Sequence, residues 1–159
     1  MTTAPTNPEQ AFKEIEADAR DLRWAAQRPW RTSSHLRIED GVVVLDLHDL
    51  NARLARRAVD RLIELAPEAT TGAVVVVTGR GLHSRGKAVL PRLAHERMSG
   101  AARTNGWRVY IPRAGRIALI TDETKAPAWL TEQTHPWMWL MAALILAGVL
   151  ATVWSSLAP

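Results

Sequence analysis

Apolar residues recur along the chain at two spacings, one of helix and one of strand. In residues 8–27, Phe12, Ile15, Ala19, Leu22 and Ala26 return at steps of three and four. That spacing gathers side chains on one helical face, so the segment predicts an amphipathic helix. Pro29-Trp30 stops it. Residues 31–41 keep neither spacing and predict a linker or loop that closes at Asp40-Gly41. Residues 1–8, rich in Thr, Pro and Asn, predict a disordered start.

The strand spacing begins at Val42-Val43-Val44-Leu45-Asp46-Leu47-His48, a β-branched, mostly apolar run that predicts a buried strand. Asp49 is placed to cap the next helix, residues 50–66, with Leu54, Ala58, Leu62 and Leu65 inward and Pro67 closing it. Thr71-Gly72 leads into a second apolar strand, residues 73–77. A glycine-rich loop follows, then a helix over residues 87–98 with Val89, Leu90, Leu93 and Ala94 apolar and Pro91 near its first turn. Residues 108–112 and 116–121 predict a hairpin turned at Arg113-Ala114-Gly115. The order β-α-β-α-β-β is that of a compact α/β sandwich over residues 42–122, after a helix and linker over 9–41. Its first crossover should be right-handed and its first two strands parallel.

A third pattern closes the chain. Residues 137–157 hold 21 uncharged residues, roughly 30 Å as a helix, the thickness of a hydrocarbon core. Trp137 and Trp139 stand at one end and Trp154 at the other, as in an aromatic belt. The run predicts one C-terminal transmembrane helix, joined to the domain by a tether over 123–136. A core helix would be the alternative, but it would carry a polar stripe. All 20 Lys and Arg precede the run, so the positive-inside rule places the N-terminal domain in the cytoplasm. The first residues have neither the basic nor the apolar region of a signal peptide.

Charge and composition narrow the chemistry. With no cysteine, disulfides, thiolate-zinc sites and thiol nucleophiles are excluded. The chain nets +4, yet from Arg80 to Arg116 nine basic residues face a single acid, Glu96, for a net +8. Such a segment suits a polyanion, either nucleic acid or anionic lipid, unless it is a solvated basic face beside a membrane.

Ligands of such sheets bind beyond the carboxyl ends of the parallel strands, and two polar clusters fall there. Asp46 and His48, two apart at the end of the first strand, point to one face. A carboxylate beside an imidazole orients it and stabilises the imidazolium, as general acid–base work requires. A satisfied polar pair at a strand end is the plainer alternative. At the end of the second strand stand Gly79-Arg80-Gly81 and His83-Ser84. Glycines before a helix let a phosphate approach backbone N–H groups and the helix N-terminus. An ordinary turn would show the same pattern, and the Gly-Lys-Ser/Thr of a Walker loop is absent.

Leu45-Asp46-Leu47-His48, followed by Thr78-Gly79-Arg80-Gly81 and by His83-Ser84-Arg85-Gly86, resembles the signature of the Smr domain, the small MutS-related module, over residues 42–122. The resemblance implies a fold like the C-terminal domain of translation initiation factor three. It also implies an endonuclease that cleaves RNA or nicks DNA. Cleavage and nucleic-acid binding are linked there to the positions of Asp46, His48, Gly79, Arg80 and Gly81. The family usually has glycine where this chain has Asp49, and its glycine-rich turn before the last strand is reduced here to Arg113-Ala114-Gly115.

The mechanism expected from these residues has His48, oriented by Asp46, moving the proton at the attacking or leaving oxygen, with His83 as second acid–base group. Arg80, Arg85 and Lys87, with Ser84 and the backbone of residues 79–81, would hold the phosphate. RNA would supply its own 2′-hydroxyl, so the scheme calls for no cofactor and no metal, while remaining compatible with a divalent cation. Two other readings fit the same residues. One is a non-cleaving module that holds nucleic acid or ribosomes at a membrane. The other is an adaptor whose basic face contacts the lipid bilayer.

Overall fold

The computed structural model describes residues 8–79 and 89–131. Its core is a five-stranded mixed sheet in the order β1-β2-β3-β5-β4, with β1 Leu36–Glu39, β2 Val42–Asp46, β3 Ala73–Val77, β4 Arg108–Arg113 and β5 Arg116–Ile120. The helices are α1 Pro8–Ala19, α2 Thr32–His35, α3 Ala52–Leu65, α4 Val89–Asn105 and α5 Ala128–Thr131, and a 3-10 turn at Ala66–Glu68 follows α3.

The apolar runs take the centre of the sheet. β2 and β3 pair in parallel, Asp46 opposite Val77, and β5 pairs antiparallel with β3. Both faces of these strands are buried, which is why they read as continuous apolar stretches. On one face Leu45, Val74, Val76, Ile117 and Leu119 form one cluster with residues of α1, α3 and α4. On the other, Val42, Val44, Ala73, Val75, Ala118 and Ile120 pack with Leu130 of α5.

Several expected elements change. The first helix ends at Ala19 rather than at residue 27. Beyond it the chain folds into three-residue turns, with the N–H groups of Leu22, Ala25 and Gln27 donating to Ala19, Leu22 and Trp24. The loop expected over 31–41 contains α2 and the edge strand β1. Its turn is Asp40-Gly41, with φ of 50° and 80°, the two positive values of a type I′ hairpin. The first strand of the expected core stops at Asp46, so Leu47 and His48 lie past it.

The helix after it starts at Ala52, and Asn51, not Asp49, is its cap: the Asn51 side chain accepts from Leu54 N–H at 2.9 Å. Leu65 is only half-buried at its far end. The next helix continues past Met98 to Asn105, where left-handed Gly106 turns the chain so that Trp107 N–H closes back on the Ala102 carbonyl at 3.0 Å. Residues 128–131 are not a free tether, because fully buried Leu130 seals the second sheet face. Among the described residues no helix is long and apolar enough to cross a membrane. The expected transmembrane helix, with Trp137, Trp139 and Trp154, lies outside the described residues.

Candidate functional site

The parallel pairing of β2 and β3 brings the end of β2, with Asp46 and His48, beside Thr78 and Gly79 at the end of β3. The register runs Asp46–Val77–Arg116–Arg113 across four strands. Leu47 N–H extends the ladder one step by donating to the Val77 carbonyl at 2.9 Å.

Past that point the chain turns over residues 47–50, closed by Leu50 N–H on the Leu47 carbonyl at 3.2 Å. Asp49 occupies its third position with φ 65°, as in a type II turn, where glycine or asparagine is the usual choice. This accounts for glycine as the common residue there. Aspartate is among the few side chains that tolerate the left-handed region, at a cost of about 1 kcal/mol. Its carboxylate lies 4.0 Å from Arg28.

Asp46 and His48 do meet, although through this turn rather than through strand alternation. Asp46 Oδ1 accepts from His48 N–H at 2.9 Å and from His48 Nδ1. A carboxylate only accepts, so Nδ1 carries the proton and Nε2 is left to act. The Asp46 side chain is 17% exposed and that of His48 52%, so the carboxylate is sheltered while the imidazole is open to a substrate.

Gly79 lies on the other side of the ring. A Cβ built there would stand 2.5 Å from His48 Nε2, and its φ of 69° already selects glycine. The His48 ring therefore lies against Gly79, with any side chain at position 79 occupying the approach to Nε2. Buried Thr78 anchors this corner, its N–H donating to the Gly115 carbonyl at 2.9 Å. The reduced turn before the last strand thus fastens the chain one residue before Gly79.

Three more residues reach the site. Arg37 of β1 places a guanidinium nitrogen 3.9 Å from Asp46 Oδ2. The indole N–H groups of Trp30 and Trp24 donate to the Asp46 and Asp49 carbonyls at 3.0 and 2.7 Å. Each such bond contributes about 1 kcal/mol net, comparable to the cost of the Asp49 conformation. Sequence reasoning missed Arg37 because it read residues 31–41 as a loop, Trp24 because it fell in the helix expected over 8–27, and Trp30 because it counted only as that helix's stop. Asp40-Gly41 was the available signal for the hairpin that carries Arg37, whereas no spacing marks the two tryptophans. Next to Arg37, Glu39 accepts from Arg116 at 2.6 Å and from Arg37 at 2.7 Å. Arg116, and then Arg37, hold its pKa down to about 2.

Arg80, Gly81, His83, Ser84, Arg85 and Lys87 lie outside the described residues. Among the described residues no three His, Asp or Glu side chains converge as a metal site. Of the basic segment, Arg92, Arg97, Arg108 and Arg116 are paired with Glu96, Asp60, Glu123 and Glu39, while Arg113 is exposed at the same edge as His48.

No curated protein and no solved structure matches the chain. The Smr domain family model matches residues 45–117, from β2 into β5. Asp46, His48 and Gly79 fall inside that span: residues 45–117 are an Smr domain.

Proposed function

We propose that the chain is an endonuclease of the Smr type, acting on RNA and held at a membrane by residues 137–157. One observation carries the nuclease reading: His48 is gripped by Asp46 through Nδ1 and faces Gly79 with Nε2. An oriented imidazole beside the side-chain-free backbone of Gly79 suits general acid–base cleavage. In RNA the 2′-hydroxyl attacks the adjacent phosphorus and the 5′-oxygen leaves, giving a 2′,3′-cyclic phosphate. His48 Nε2 takes the proton from the first oxygen or returns one to the second, with His83 as its partner. Arg37 and Arg113 add to Arg80, Arg85 and Lys87 as phosphate contacts. The membrane and its cytoplasmic side rest on the uncharged run, its tryptophans and the distribution of Lys and Arg.

A second reading, a module that holds RNA or ribosomes without cutting, draws on Asp49, a second carboxylate one residue from His48. The full chain in detergent micelles, given labelled RNA and circular DNA, separates the two. Cleavage of RNA that is lost in His48→Ala, with binding retained, supports the nuclease. Binding without cleavage of either substrate by the wild type supports the holding module.

A further inference from the structure

We propose that the segment preceding the Smr domain positions its Asp46–His48 pair through the indoles of Trp24 and Trp30. The family match begins at Leu45 and leaves α1, α2 and β1 without a role. Yet this segment is built into the domain. Phe12, Ile15 and Ala19 of α1 enter the main core, and Glu16 accepts from Thr32 N–H at 3.0 Å, which holds its carboxyl below the usual range.

Between these two fastenings lie Trp24 and Trp30. Trp30 is buried, its ring faced by His35 at 5.3 Å. Its N–H holds the Asp46 carbonyl, and the N–H of Trp24 holds the Asp49 carbonyl. The two acceptors flank His48 in sequence, and Arg28, between the tryptophans, reaches the Asp49 carboxylate.

The consequence is geometric. The direction of the Asp46 carboxylate, and so of the imidazole it grips, follows from the course of the turn that carries His48. One indole fixes the Asp46–Leu47 peptide, which opens that turn, and the other fixes the Asp49–Leu50 peptide, which follows the left-handed residue. Neither ring touches a reacting atom, so both are positioning residues. For cleavage the proposal rests on the nuclease reading, but the orientation of His48 is measurable without it.

The test uses the full chain in detergent micelles with 15N-labelled histidine, as wild type, Trp24→Phe and Trp30→Phe. Phenylalanine keeps an aromatic ring and deletes the donor. At pH 8 the wild-type His48 ring should show a single tautomer protonated on Nδ1. In each folded variant its two ring 15N shifts should converge as the tautomers mix, while those of His95, exposed on α4, stay in place. The kcat for RNA should fall about tenfold with the Kd for RNA unchanged, since small misplacements cost rate rather than binding. Unmoved His48 shifts in a folded variant would overturn the role of that indole. Trp24 is 37% exposed, so its variant decides the matter if Trp30→Phe does not fold. Should the wild type cleave nothing, the nuclease reading fails and the 15N shifts alone decide the positioning.

Discussion

A methyl group at position 79 would press on His48 Nε2 from 2.5 Å and would also force a non-glycine residue to φ 69°. These are separable costs. The backbone part should be about 1 kcal/mol and the clash about as much again. Gly79→Ala should therefore lose about 2 kcal/mol in urea unfolding, and about half of that in a His48→Ala background, where the imidazole is gone. Equal losses in both backgrounds would show that ring and glycine do not touch. Asp49 makes the complementary case, with strain but no crowding in view. Asp49→Gly should raise stability by up to about 1 kcal/mol, and Asp49→Ala, which keeps the strain, should leave it nearly unchanged. A helix-cap role would instead make both variants similarly destabilising, and Asn51 already fills that role. The meaning of Asp49 was not legible in the sequence, because a carboxylate after a strand reads as a cap until the turn's φ is known.

The two hairpins contrast instructively. β4 and β5 were legible because two largely apolar runs flank an evident glycine turn. β1 was not, since only Leu36 and Ile38 are apolar, and Arg37 and Glu39 read as solvated loop. Those charges are an internal network, with Glu39 shared by Arg37 and by an Arg116 side chain only 13% exposed. A carboxyl held at about 2, below its ordinary 4.5, stabilises the fold fully above pH 4.5 and loses that contribution as the pH falls toward 2. Glu39→Gln should thus cost about 2 kcal/mol at pH 7, and the difference from wild type should shrink to nothing near pH 2, as urea melts across that range will show. The early end of α1 has a similar explanation. Its apolar spacing continues to Ala26, but the tertiary bond from Trp24 to Asp49 favours turns over a straight helix.

For the molecule as a whole, the sheet's centre, the parallel pairing of β2 with β3 and the placement of Gly79 beside His48 followed from the sequence, because buried strands and glycine turns announce themselves locally. The limits of the folded unit did not. α1 and α5 lie on either side of the family match, and each buries side chains in one of the two cores. The uncharged run beyond α5 makes a separate prediction: deleting residues 137–159 should move the protein from the membrane pellet to the supernatant, and retention in the pellet would contradict an anchor there. The central claim, that Asp46-x-His48 and Gly79 form one cleavage site, is tested most directly by a double-mutant cycle on RNA cleavage. His48→Ala and Gly79→Ala should each lower kcat/KM about a hundredfold or more, and the double variant should be little worse than His48→Ala alone. Losses that multiply in the double variant, or cleavage that survives His48→Ala, would contradict a single shared site.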